Sequence, residues 1–347
     1  MPAAGKRVNI LQAERLLNYM GRNWYKGDTH LHTLNSDGVL TKGQLVEACK
    51  KKGLDFMIIT DHNFNSVEKS YYDGDMLVIQ GQEITGEPGH VNIWGEKVPV
   101  NPPYALENAA DYADILEKCR KTGATISVNH PFCSQCGFHL DLEAYPFDCV
   151  EVWNTIQHSD NMKNRDWWVS QLLKGHKIAA VGGSDYHRDY LNVPLLLAMP
   201  TTVVHSTGNT QDEILQAMRE GRSVVKNHPD STMMYLTCGD ANVGDTVKLS
   251  ENNKAELKIE DFKFGHTVRI YNNEKVIYEN TATKNTPVFL TSVDIEEPGF
   301  VRAEITYKFS PLIKKVYKIV ESKFLKCYDS VVPDFIWAFT NPIWVEK

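Results

Sequence analysis

From about residue 24 to residue 229 short apolar runs alternate with amphipathic stretches, and nearly every run ends in polar residues. This alternation constrains the fold more than any other feature, because it is the pattern of repeated βα units around a parallel sheet or barrel. "DFMIITDHN" (55 to 63), "MLVIQGQE" (76 to 83), "HVNIWG" (90 to 95), "TISVNHP" (125 to 131), "CVEVWN" (149 to 154) and "KIAAVGGSDYH" (177 to 187) read as buried strands. Helices are expected between them. Thr41-x-x-Gln44 and Thr210-x-x-Glu213 have the form of capping boxes, and Gly53 and Gly221 stand where helix C-caps belong. A further helix is predicted over 158 to 174, with Trp167, Trp168, Leu172 and Leu173 as its buried face.

After "NHPDS" (227 to 231) the texture changes to alternating apolar and polar residues, with turn signals such as Asn272-Asn273 and Pro298-Gly299. Such a pattern predicts a small antiparallel β-sandwich. The chain is therefore divided into residues 1–230 and 231–347. The lysine-bearing run 308 to 326 fits either a hairpin or an insertion.

The polar residues at the strand ends carry the chemistry. Residues at i and i+2 of a strand share a face, so Asp28, His30 and His32 in "GDTHLHTLNSDG" can point into one site. Asp185 and His187 in "GGSDYH" repeat the device, while His62, Glu83, His90 and His130 stand at other strand ends. In parallel α/β barrels such positions gather around one mouth. A single histidine at a strand end is more often a satisfied structural residue than a ligand, but the set reverses that reading. Imidazoles and carboxylates converging in this number suit transition metals. His139, His158, His176, His205, His228 and His266 lack this placement and read as surface, rim or structural residues.

Composition narrows the partners. A hydrophobic content of 42% with 23% charged residues describes an ordinary globular chain, and a net charge of -7 disfavours a broad surface for extended nucleic acid. No stretch approaches the roughly 20 apolar residues that span a bilayer. The opening residues lack a secretory pattern, so the expected location is cytoplasmic, without membrane association. Seven cysteines, an odd number in a large chain, imply no disulfide framework, and Cys133 and Cys136 make a lone "CSQC" that fits a redox pair or half a zinc site but has no second pair at a matching distance. Nothing in the pattern fixes the oligomeric state.

Taken in order, "DTHLHTLNSDG", "ITDHN", "GQEIT", "GHVNIWG", "SVNHP" and "GGSDYH" resemble the polymerase-and-histidinol-phosphatase (PHP) superfamily of metal-dependent hydrolases, most closely its CehA/McbA-like branch. The resemblance covers about residues 25 to 229. It implies an α/β fold, a distorted (β/α)7 TIM-like barrel, holding up to three divalent ions of Zn, Mn or Fe. One ion would take His30, His32, Glu83 and Asp185. A second would share Glu83 and add His90 and His130, and a third would take Asp37, His62 and His187. Asp28 and Asp61 would stand behind the ligands and orient histidines.

Three divalent ions against three carboxylates and six neutral imidazoles leave about three positive charges in surplus, which suits a phosphate dianion. The implied activity is phosphoester hydrolysis by an activated water at the metals, acting on a small metabolite or nucleotide. Glu83, Asp185 and His187 would surround the reacting centre, and His158 is a candidate general acid. Arg188, Lys163 and Arg165 are candidates for binding phosphate, with Trp153 and Asn154 lining the mouth. The same centre could serve a carbamate or carboxylic ester hydrolase, for which Trp153 would accept an aromatic leaving group. A metal-containing binding protein is the third reading.

Overall fold

The structure, a computed structural model, describes residues 22–95, 108–155, 158–189, 196–324 and 334–347. Its first half contains strands β1 (Asn23–Asp28), β2 (Phe56–Ile59), β3 (Tyr71–Asp73), β4 (Met76–Gly86), β5 (Gly89–Trp94), β6 (Thr125–Val128), β7 (Cys149–Asn154), β8 (Ala179–Gly183), β9 (Thr201–Ser206) and β10 (Ser223–Lys226). Helices α1 (Lys42–Lys51), α2 (Ala109–Thr122), α3 (His158–Leu173) and α4 (Gln211–Arg219) lie between them. The architecture is mixed α/β with a large sheet that combines parallel and antiparallel pairs.

The strands neighbour one another in the order β10, β9, β1, β2, β4, β5, β6, β7, β8. The β1–β2, β2–β4, β6–β7 and β7–β8 pairs are parallel. Two expectations are corrected here. β5 is antiparallel to both β4 and β6, because only the turn Glu87-Pro88 separates β4 from β5 and a parallel pair needs a crossover of a dozen or more residues. β9 likewise runs antiparallel to β1 and β10. Reversing β5 brings its beginning beside the end of β4, so that Thr85 pairs with His90. Single bridges from Leu31 to Tyr186 and from His62 to Glu83 extend the pairing past the strand ends.

Helix α1 starts on a full capping box, Thr41 with Gln44, and buries Leu45, Val46 and Cys49. Helix α3 buries Trp168 and Leu172, whereas Leu173, expected inside, is 43% exposed. One residue rotates about 100° around a helix, so Leu173 turns away from the face that Leu172 occupies.

Residues beyond 230 add β11 (Met233–Cys238), β12 (Ala241–Asn242), β13 (Thr246–Lys248), β14 (Lys254–Phe262), β15 (His266–Asn272), β16 (Lys275–Thr281), β17 (Thr286–Asp294), β18 (Gly299–Tyr307), β19 (Phe335–Thr340) and β20 (Ile343–Glu346). β12, β11, β14 and β17 form a separate antiparallel sheet. β18, β19 and β20 join the main sheet through the antiparallel β10–β19 pair, so the sheet runs on across residue 230. One core lies between the two groups, with Leu236, Leu257 and Ile259 on one side and Ile270, Val301 and Ile305 on the other. Asn341 fastens the halves: its side chain accepts from the Ala180 amide at 2.8 Å and donates to the Ala180 carbonyl at 2.8 Å. The run 308 to 326 contains a helix, α5 (Pro311–Phe324). Among the described residues no helix is long and apolar enough to cross a membrane.

Candidate metal centre

His30 and His32 follow β1, His62 follows β2, Glu83 lies in β4, His90 opens β5, His130 follows β6, and Asp185 and His187 follow β8. Sheet pairing brings these positions to one edge, and the nine predicted ligands form one cluster. His30 Nε2 lies 3.3 Å from both Glu83 Oε1 and Asp185 Oδ1. His32 Nε2 is 3.1 Å from Asp185 Oδ1 and 3.5 Å from Glu83 Oε2. His90 Nδ1 and His130 Nε2 approach Glu83 Oε1 at 3.1 and 3.6 Å. On the outer side Asp37 Oδ1 meets His187 Nε2 at 3.1 Å and His62 Nε2 at 3.5 Å. Four ligand-type atoms, from His32, Asp37, His62 and His187, lie within 4.8 Å of one another, as do those of His30, Glu83 and His130.

The backbone is bent to make this possible. His130 and Asp185 have φ of 28° and 50°, a left-handed conformation that side chains other than glycine adopt at a cost. At Gly183 a Cβ would stand 2.4 Å from His30 Cβ and 2.6 Å from Glu151 Oε1, so only glycine lets β8 approach that closely.

The donor set fits divalent cations. His30 Nε2, His32 Nε2 and Glu83 Oε2 are buried atoms that make no well-aligned hydrogen bond among the described residues and instead face other ligand-type atoms, with His62 Nδ1 2.7 Å from Glu83 Oε2. Buried polar atoms are normally paired, and ligation satisfies such orphans. Electrostatics point the same way. Burial raises the pKa of Glu83 and Asp185, but the surrounding imidazoles outweigh it and hold both carboxyls well below the usual range. Burial lowers that of His62 and His130, yet the neighbouring carboxylates carry them up to about 10 and about 9. His32 is the exception, held down to about 4 by burial. The carboxylates thus demand positive charge, which protons on imidazole supply in the absence of cations.

Supporting residues differ from expectation. Among the described residues Asp28 meets its neighbours through their backbone: its carboxylate accepts the amides of His30 at 3.3 Å, Ser184 at 3.0 Å and Ala198 at 2.9 Å, tying two ligand-bearing segments together. Asp61 accepts from the Thr33 amide at 2.6 Å and hydroxyl at 2.7 Å, from Ser36 at 2.7 Å and from Ser66, and so fixes the turn leading to Asp37. Sequence reasoning missed Glu151. Its buried carboxylate accepts from His30 Nδ1 at 2.9 Å, from the His130 amide at 3.2 Å and from Asn154 Nδ2 at 3.0 Å. The signal was present: a carboxylate amid the apolar residues of "CVEVWN" has to find a buried partner.

Among the substrate candidates, Asn154 is in the cluster and donates to Asp185 Oδ2 at 3.2 Å. Trp153 is not at a mouth. It is buried, donates to the Thr155 carbonyl at 2.9 Å and packs edge-on to Phe335, because the bulge between Glu151 and Trp153 turns it to the core side. Arg165 is held by Glu304 at 3.1 Å and Asp166 at 2.6 Å, away from the ligands, and Lys163 lies 3.2 Å from Asp160. Arg188 is exposed, directly after His187. The side chain of His158 lies outside the described residues.

The chain matches no family model. A segment of 38 residues, 11% of the chain, is 50% identical to the DNA polymerase/3'-5' exonuclease PolX of Bacillus subtilis (strain 168), spanning 7% of that protein. A two-domain protein containing a predicted PHP-like metal-dependent phosphoesterase, from Bacteroides vulgatus ATCC 8482, superposes with a TM-score of 0.51 at 19% identity over 90% of this chain and 96% of that one. The lesion-specific endonuclease EndoQ from Pyrococcus furiosus gives a TM-score of 0.39 at 15% identity, with 56% of each chain covered. At that likeness the chain shares the mixed α/β fold of the two-domain PHP-like protein.

Proposed function

We propose that the chain is a metal-dependent hydrolase, specifically a phosphoesterase that cleaves a phosphomonoester or diester of a small metabolite or nucleotide. The observation that carries this reading is the convergence of orphaned buried ligand atoms on Glu83 and Asp185. Up to three divalent ions of Zn, Mn or Fe would be held by His30, His32, Asp37, His62, Glu83, His90, His130, Asp185 and His187. When bound, such ions supply an activated water and steady phosphoryl oxygens during displacement. The chain's own groups hold and orient: Glu83 offers an oxygen to either side of the centre, Glu151 fixes His30 and the His130 backbone, and Asn154 steadies Asp185.

Counting Glu151, three dications against four carboxylates leave about two positive charges in surplus, which still favours an anionic ester over a neutral one. Arg188, exposed directly after His187, is our candidate for receiving phosphate, because Arg165 and Lys163 face carboxylates of their own. Trp153, which would have suited an aromatic leaving group in the carbamate reading, belongs to the core. We read the strands around the centre as a distorted (β/α)7 barrel closed by the Leu31–Tyr186 bridge, and residues 231–347 as a β-sandwich domain packed on it.

Protein loaded with Mn or Zn should hydrolyse p-nitrophenyl phosphate or its bis ester faster than aryl carbamates. Chelation or His32→Ala should abolish turnover. A broad phosphoester panel that stays unhydrolysed by protein with its metals demonstrably bound would end the reading.

A further inference from the structure

An oxygen holds the Nδ1 atom of most imidazoles in the centre. His30 Nδ1 meets Glu151 at 2.9 Å, His62 Nδ1 meets Thr85 at 2.6 Å, His90 Nδ1 meets Glu83 at 3.1 Å, and His187 Nδ1 meets the Asp185 carbonyl at 2.8 Å. His130 is different. With Nε2 turned to Glu83, it presents Nδ1 to Cys136 Sγ at 3.7 Å. That sulfur in turn lies 3.0 Å from Cys133 Sγ. Both thiols belong to a compact turn hung on the ligand itself: the Cys133 amide donates to the His130 carbonyl at 2.8 Å, and the Phe138 amide to that of Pro131 at 2.8 Å. The amides of Gln135 and Cys136 both donate to Cys133 Sγ at 3.4 Å, which fixes that sulfur beside Cys136.

We propose that Cys136 is a positioning residue for His130, and that Cys133 makes this support oxidisable, so that hydrogen peroxide converts the pair to a disulfide and loosens one metal position. The proposal rests on the metal-centre reading above. The partner of a ligating imidazole fixes its tautomer and ring orientation, and losing such a partner typically costs about 10–100-fold in metal affinity. In the oxidation Cys133 gives up its proton as its sulfur attacks one oxygen of hydrogen peroxide, the O–O bond breaks, the departing hydroxide takes that proton and leaves as water, and a sulfenic acid remains. Cys136 sulfur then attacks that sulfur, the S–O bond breaks, and a second water leaves. The two sulfurs give up two electrons to the peroxide, and both thiol protons end in water. Drawn onto Cys133, the Cys136 sulfur is no longer a free thiol for His130.

Metal affinity of the full chain, measured against a buffered zinc or cobalt series, tests this directly. Reduced wild type and Cys133→Ser should bind alike. Cys136→Ala should hold one ion about 10–100-fold more weakly, and Cys136→Ser should recover part of that loss. One equivalent of hydrogen peroxide should remove two thiols from the wild type, reproduce the Cys136→Ala weakening and be reversed by dithiothreitol. Cys133→Ser should keep its affinity at the same dose. Wild-type affinity in Cys136→Ala, or a disulfide that leaves metal binding untouched, would overturn the proposal while the metal centre stands. A thiolate-to-cobalt charge-transfer band lost in Cys136→Ser would make Cys136 a ligand and overturn its positioning role. Wild type that binds no divalent ion would overturn both.

Discussion

Glu151 supports the centre from outside it, through one imidazole, one ligand's backbone and one amide side chain. Replacing it by Gln keeps the shape but removes the charge that holds His30 Nδ1. Glu151→Gln should therefore weaken metal binding about 10–100-fold while the circular dichroism stays native, as competition with a chelating indicator would show. Asp37 has a different place. It is 55% exposed and touches His62 and His187 on the outer side, with His32 Nδ1 at 3.9 Å. Asp37→Ala should release one ion and leave the group formed by His30, His32 and Asp185 occupied. Elemental analysis that still found the wild-type stoichiometry would refute this division.

Among the elements, α1 shows how local chemistry sets a boundary. The Gln44 amide donates to Thr41 Oγ1 at 3.3 Å, and the Thr41 amide donates back to Gln44 Oε1 at 2.9 Å, so two otherwise unpaired donors are satisfied. Thr41→Ala should cost about 1 kcal/mol, read as a lower urea midpoint with an unchanged slope. The predicted partner box at Thr210 is half formed: Glu213 donates its amide to Thr210, but its carboxylate goes to the Thr207 and Thr210 hydroxyls. The β4–β5 hairpin is the element that most departs from a simple βα repeat. By reversing direction it delivers His90 to the side of the sheet where the neighbouring strands end.

Across the whole molecule two buried histidines outside the centre make stability depend on pH. His205 stacks on Trp24 at 4.5 Å, and burial, with Arg22 and Arg222 nearby and Asp245 opposing them, lowers its pKa to about 4. His266 sits 4.8 Å from Trp337, and burial lowers it to about 4 as well, against Asp261 and alongside Lys263. Both are neutral in the folded protein at a pH where the unfolded chain, with imidazoles near 6.5, takes up protons. The unfolded state therefore binds more protons between about pH 4 and 6.5. Stability from these sites is complete above about 6.5 and is lost as the pH falls toward 4. Thermal midpoints should decline across that window, and His205→Phe, which retains a ring against Trp24, should flatten the decline.

The sequence by itself determined the inventory of ligand-type side chains and the βα texture, because metal ligation demands particular side chains and buried strands demand apolar runs whatever their neighbours. It also fixed α1, whose cap is a contact among residues three apart. Tertiary structure decided what depends on distant partners. Whether Trp153 faces a mouth or the core turned on a bulge in β7 and on Phe335, far along the chain. Whether Arg165 was available to a substrate turned on Glu304, and the role of Glu151 became visible only when β1 and β6 brought His30 and His130 against it. Periodicity reports which residues are buried, and only the packed chain reports what each is buried against.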